Sequence, residues 1–224
     1  YHKHIHTGEG GILVTNNDDF AERMQLIRNH AEVVVKDKGV KRIDNMVGHN
    51  FRLGEIECAI GVEQLKKLPE IVKERQQLAA ALTKELSGLE NILTPFVPED
   101  RDHVFYVYPL ILEVEKIGLS RERICDALEA EGLSLMRQYQ NIHLLPIYQE
   151  KVAFGKSGFP WTSEYCKRNI DYSKGICPNA EELNDKSFIG IGMCVYDLSL
   201  EDIKLIGMAF KKVWKNLDSL KGLN

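Results

Sequence analysis

The sequence has no Cys-x-x-Cys pair, no apolar run approaching the length of a membrane span, and no excess of positive charge. Each absence removes a class of function. The five cysteines, Cys58, Cys125, Cys166, Cys177 and Cys194, are scattered and odd in number. That pattern suits free, mostly buried thiols in a reducing cytoplasm better than a disulfide framework or a zinc ribbon. A membrane span needs about 20 consecutive apolar residues, so no membrane partner is expected. A net charge of −4 argues against a nucleic-acid partner. Internal repeats and low-complexity tracts are missing as well. What remains is ordinary for a globular protein. The 224 residues, 44% of them hydrophobic, suffice for one large or two small domains with a proper core.

The most informative stretch is the first, Tyr-His-Lys-His-Ile-His-Thr-Gly-Glu-Gly-Gly. Lys3 precedes the turn-forming Gly8-Glu9-Gly10-Gly11, and the apolar Ile12-Leu13-Val14 follows as an expected buried strand over 11–15. A lysine held rigidly beside a tight turn can sit at the mouth of a cleft. Its amine forms a Schiff base with an aldehyde, and when desolvated to a pKa of about 7–8 it also works as a base. Two plainer readings compete. His2, His4 and His6 alternate, so on a strand they share a face, and imidazole is a common zinc ligand. No cysteine or carboxylate stands at ligand spacing, so no metal is expected. A surface lysine before a turn is the other reading.

Asn16-Asn17-Asp18-Asp19 offers a helix cap. Phe20, Met24 and Ile27 then mark one face of a helix to about His30. Residues 31–50 read as irregular, with β-prone Val33-Val34-Val35 beside polar Lys36-Asp37-Lys38-Gly39 and Lys41-Arg42. A long helix follows, with Leu53, Ile56, Ile60, Leu65, Leu68 and Val72 apolar, Pro69 inside, and a stop near Gly88. Two prolines in 91–98 mark the expected domain boundary. Residues 103–113 alternate as a strand. Ser120 caps a helix that buries Ile124 and Leu128 and stops at Gly132, and 133–136 reads as a further strand. Residues 150–173 read as an inserted loop. Cys177-Pro178-Asn179-Ala180-Glu181 opens a short helix, and 188–193 is a strand. Ser199 with Asp202 forms a capping box before a helix striped by Ile203, Ile206, Phe210, Val213 and Leu217.

Four of these segments resemble the DegT/DnrJ/EryC1/StrS family of pyridoxal-phosphate sugar aminotransferases. Lys3 through Gly11 is similar to that family's lysine segment. Gly48-His49-Asn50-Phe51-Arg52-Leu53-Gly54-Glu55-Ile56, continuing through Cys58-Ala59-Ile60-Gly61 to Gln64, Leu65, Leu68 and Arg75, is similar to its Gly-x-Asn-x-Arg-Leu-x-Glu-Ile segment. Weaker likenesses lie at 137–148 and 177–181. In the former, Tyr139 and His143 match, while Gln138 and Asn141 depart from the usual His and Pro, which leaves the sugar contacts open.

The resemblance implies an α/β protein of the aspartate-aminotransferase-like fold (fold type I). Residues 1–85 would be the end of the large, cofactor-binding domain with its linking helix, and 86–224 the small α/β domain. Family members carry roughly half of their chain upstream of the lysine, so the resemblance has this chain start within a domain. It implies pyridoxal 5'-phosphate held by Lys3, with Asn50 reaching across a homodimer to the cofactor phosphate of the other subunit. Arg52, Tyr139 and His143 would face the substrate. The implied reaction moves an amino group from an amino-acid donor, glutamate by expectation, to a nucleotide-linked keto-sugar. Two alternatives stay open. Some relatives have histidine in place of the lysine and dehydrate sugars, which would need the register to slip onto His2 or His4. The other is a non-catalytic, family-like fragment.

Overall fold

A computed structural model describes residues 3–32 and 46–222. His2, Val33-Val34-Val35 and the polar residues Lys36-Asp37-Lys38-Gly39 and Lys41-Arg42 fall outside the described residues. The chain divides into two compact units, Tyr1–Ile71 and Val72–Asn224.

In the first unit, residues 3–17 form neither helix nor strand. The strand expected over 11–15 is not formed. Ile12, Leu13 and Val14 are 77–87% exposed. A strand exists only with a neighbour that takes up its N–H and C=O groups, and no described segment runs alongside this one. Helix α1 spans Asp18–Arg28, capped as expected: Asn17 Oδ1 accepts the Phe20 N–H at 2.9 Å. The helix ends before His30, because His30 and Ala31 turn left-handed at φ 64° and 58°. Residues 48–51 dock on this corner. His49 N donates to Ile27 O at 2.7 Å, His30 N to His49 O at 3.0 Å, and Phe51 N to Arg28 O at 3.0 Å. Only glycine fits at position 48, where a Cβ would lie 1.9 Å from the His30 carbonyl carbon. Helix α2 then runs Glu55–Leu86 with Pro69 in its interior. Its early apolar residues Ile56, Ile60 and Leu65 are exposed.

The second unit holds the packed core. A three-stranded antiparallel sheet has the order β1-β2-β3, with β1 at Ile92–Leu93, β2 at Tyr108–Leu112 and β3 at Phe188–Ile191. Strand β2 is narrower than the 103–113 expected, because Phe105 turns left-handed at φ 50° before it. Within β2, Tyr108, Leu110 and Leu112 alternate into the core as the pleat requires. Short α3 (Val114–Ile117) leads to α4 (Arg121–Ala130), where Ser120 Oγ caps Arg123 N–H and Ile124 and Leu128 are fully buried. The strand expected at 133–136 reduces to one bridge, Met136 to Gly190, because the residues before it meet no partner strand.

A single 3₁₀ turn (Ile142–Leu144) precedes α5 (Pro146–Gln149). Helix α6 (Pro178–Glu182) passes into a π-helical turn, Leu183–Ser187, just before β3. The capping box is present: Ser199 Oγ accepts the Asp202 N–H while Asp202 Oδ2 accepts the Ser199 N–H. It opens α7 (Leu200–Lys215), which buries Ile203, Phe210 and Val213 and is followed by α8 (Leu217–Lys221). The C-terminal half of α2 adds Leu78, Leu82 and Leu86 to the same cluster. Buried Tyr108 keeps its hydroxyl satisfied, 2.7 Å from Thr83 Oγ1. No described helix is long and apolar enough to cross a membrane.

Leu82, fully buried, is the position at which α2 is tied to this core. Leu82→Ala is expected to cost about 2–5 kcal/mol in denaturant unfolding. Ser199→Ala, which removes one cap, is expected to cost about 1 kcal/mol. Equal losses in the two variants would contradict this account of the core.

Candidate active site

The first unit carries three of the expected site residues. Lys3, Asn50 and Arg52 are all exposed. The segment after Lys3 folds as a tight turn: Thr7 Oγ1 donates to Glu9 O at 2.8 Å, and Gly8 sits at φ 93°. At Gly10 a Cβ would come within 3.2 Å of Leu53 Cδ1, and at Gly61 within 3.2 Å of Thr7 Cγ2. The two motifs, far apart in sequence, therefore lie against each other, and glycines at both contacts let them close. Asn50 is fixed by its bridge to Asn29 at the end of α1. An amine, an amide and a guanidinium are the groups a phosphorylated aldehyde needs: the amine for its carbonyl, the N–H groups for its phosphate. The residues present fit pyridoxal phosphate in that respect.

The second unit carries Tyr139 and His143, and the structure treats them differently. Tyr139 is 55% exposed. The His143 side chain is 9% exposed, and its Nε2 lies 2.8 Å from Glu181 Oε1. Glu181 also accepts the Gly175 N–H at 2.8 Å and the Cys177 N–H at 3.3 Å. Burial alone would push this carboxyl up. The Gly175 N–H, His143 and the Cys177 N–H together hold it below the usual carboxylate range. Sequence reading placed Glu181 in a short helix and missed this partnership, since nothing local links it to position 143.

Further groups surround the same segment. Arg137 Nη2 pairs with Glu129 at 2.5 Å and Asp126 at 2.7 Å. Gln149 Nε2 donates to His143 O at 2.7 Å and to Tyr172 O at 2.6 Å. It thereby folds the inserted loop back on residues 143–149. Trp161 and Tyr172 meet edge to face, each also touching the Tyr148 ring. A separate cleft of about 710 Å³ between 131–135 and α7 shares no lining residue with 137–148.

Because Glu181 is held below its ordinary value, its contribution to stability is present above the unfolded pKa of about 4.3 and disappears as pH falls through the folded value. Glu181→Gln is therefore expected to melt below the parent at pH 6–7, with the gap closing below about pH 4. A gap that stays constant across a melting series from pH 7 to pH 3 would contradict an ionised Glu181 held by these donors.

Comparison with known proteins agrees with these motifs. A sequence profile of the DegT/DnrJ/EryC1/StrS aminotransferase family matches residues 1–182. The UDP-4-amino-4,6-dideoxy-N-acetyl-beta-L-altrosamine transaminase of Helicobacter pylori is 34% identical over 150 residues, which is 66% of this chain and 39% of that protein. A GDP-perosamine synthase of Caulobacter vibrioides is 32% identical over 147 residues, 65% of this chain and 38% of that protein. The structure of Helicobacter pylori PseC, an aminotransferase involved in the biosynthesis of pseudoaminic acid, superposes with a TM-score of 0.68 at 22% identity, covering 96% of this chain and 51% of that one. The chain spans less than half the length of the curated relatives it matches, 45% of one and 39% of another. The structural likeness establishes the fold as that of the pyridoxal-phosphate-dependent transferases of fold type I, mixed α/β. With 182 of its residues inside the matched profile, the chain belongs to the DegT/DnrJ/EryC1/StrS aminotransferase family.

Proposed function

We propose that the protein is a pyridoxal-phosphate-dependent aminotransferase that moves an amino group from an amino acid, glutamate in this reading, to a nucleotide-linked keto-sugar. The observation that carries it is Lys3, set before a glycine turn that packs on the Asn50-Phe51-Arg52-Leu53 motif. Relatives at 34% and 32% identity, named as a UDP-aminodideoxy-sugar transaminase and a GDP-perosamine synthase, support the substrate class. In this reading residues 1–85 belong to the large domain and 86–224 form the small one. The protein works as a cytoplasmic homodimer with shared active sites.

When bound, pyridoxal phosphate supplies an aldehyde and an electron-accepting ring. Lys3 Nζ would hold that aldehyde, and its amine would serve as the base for a proton on the donor's α-carbon. The Asn50 side-chain amide would donate, without adding charge, to the phosphate of the cofactor held by the other subunit. Arg52 offers a bidentate fork to an anionic group of the substrate. Tyr139 presents an amphipathic ring at the substrate face. His143, with one ring nitrogen engaged by Glu181, acts there as an oriented hydrogen-bonding group.

Borohydride reduction of the pyridoxal-phosphate-loaded protein, followed by peptide mass mapping, is expected to leave a cofactor-sized increment on the peptide bearing Lys3. An increment elsewhere, or none, overturns the assignment. Lys3→Ala is expected to lower turnover by about a thousandfold or more while the fold is retained. Near-parental activity in that variant would also overturn it.

A further inference from the structure

Residues 137–145 run without a strand ladder to hold them, apart from the single Met136–Gly190 bridge at their start. Their position is set by side chains from a later stretch, residues 174–185, at two places. At one, Asn184 Oδ1 accepts the Tyr139 backbone N–H at 3.1 Å, and Asn184 Nδ2 donates to Asn141 Oδ1 at 3.0 Å. Asn141 Nδ2 in turn donates to Asp185 Oδ1 at 2.9 Å. At the other, Glu181 receives His143.

The first of these is anchored at both ends. The Asn184 backbone carbonyl accepts Arg121 Nη1 at 2.5 Å, and Arg121 is 4% exposed on α4, whose Ile124, Cys125 and Leu128 join the core. Asp185 Oδ2 takes the Lys174 ammonium at 2.8 Å, which holds this carboxyl below its usual range. Each asparagine uses its amide both as donor and as acceptor, so turning either amide over loses two bonds at once. A π-helical turn supplies Asn184 and Asp185, and such turns are frequent at functional sites. Held between the two places, the backbone is pinned while the side chains of Tyr139 and Ile142 stand out into solvent. An exposed aromatic on a pinned backbone does not have to be ordered when a ligand arrives, which lowers the cost of binding.

We propose that Asn184 and Asn141 are positioning residues for substrate binding: their chain of amide hydrogen bonds, rooted in Arg121 and in the Lys174–Asp185 ion pair, holds Tyr139 where it receives the sugar nucleotide. This rests on the reading of Tyr139 as facing the substrate. Neither asparagine touches the substrate; both act through the backbone at 139–141.

The test uses the pyridoxal-phosphate-loaded protein titrated calorimetrically with UDP-, GDP- and dTDP-linked hexoses. The parent is expected to bind at least one of them. Asn184→Ala and Asn141→Ala are each expected to weaken that binding about tenfold. The double variant is expected to be little worse than either single one, because residues acting as one unit are not additive. The absorbance response to glutamate alone is expected to match the parent in all three, which a general loss of fold would not allow. Hydrogen exchange at the Tyr139 amide is expected to speed up in Asn184→Ala. Unchanged binding in both single variants, with Tyr139→Ala weakened, overturns the positioning role and leaves the substrate reading standing. No effect of Tyr139→Ala, or no binding of any of the three by the parent, overturns the substrate reading itself, and the proposal with it.

Discussion

Burial of β2 is the constraint on which the second unit depends. Tyr108, Leu110 and Leu112 alternate into one cluster with the C-terminal half of α2, with α4 and with α7. A strand of five residues with one neighbour on either side has few ladder bonds of its own. Its stability comes from apolar area withdrawn from water, at about 25 cal/mol per Å². Once that cluster is formed, α4 is fixed, and with it Arg121. The polar attachments around 137–145 then have a rigid base. The order of dependence runs from apolar packing to polar positioning.

The first unit is built on a different principle. It has little buried apolar surface among its described residues, and Leu26 is its only fully buried hydrophobic residue there. Its organisation comes from backbone hydrogen bonds at the end of α1 and from close approaches at Gly10, Gly48 and Gly61, of which the one at position 48 leaves no room for a Cβ. These approaches bring the Lys3 turn and the Asn50 motif together. The geometry is specific, yet the apolar residues Ile12, Val14, Ile56 and Leu65 face outward. Amine, amide and guanidinium are presented on this surface in keeping with family membership. Among the described residues, packing energy is thus concentrated in the second unit.

In the second unit a histidine and a carboxylate far apart in sequence hold each other in place. His143 stood out in the sequence as a substrate-facing residue, and it is a side chain buried against Glu181. That contact fixes one ring nitrogen and the ring plane. Tyr139, four residues earlier, keeps its side chain exposed. The neighbouring asparagines turn an irregular stretch into a defined one without any regular secondary structure.

The sequence by itself determined the helices and their caps. Asn17, Ser120 and Ser199 cap as their residue types predict, and the stripe of Ile203, Phe210 and Val213 faces the core at the expected spacing. These features are local: a cap or a helical face is set by residues within one or two turns. The family motifs were legible for the same reason, since each is a short run of adjacent residues. Tertiary structure alone decided the rest. Residues 11–15 and 133–136 have strand-like composition, but a strand requires a partner elsewhere in the chain, and composition cannot supply one. Glu181, Asn184 and Asp185 are ordinary polar residues in sequence. They acquire their role only because the fold brings them to positions 139–143.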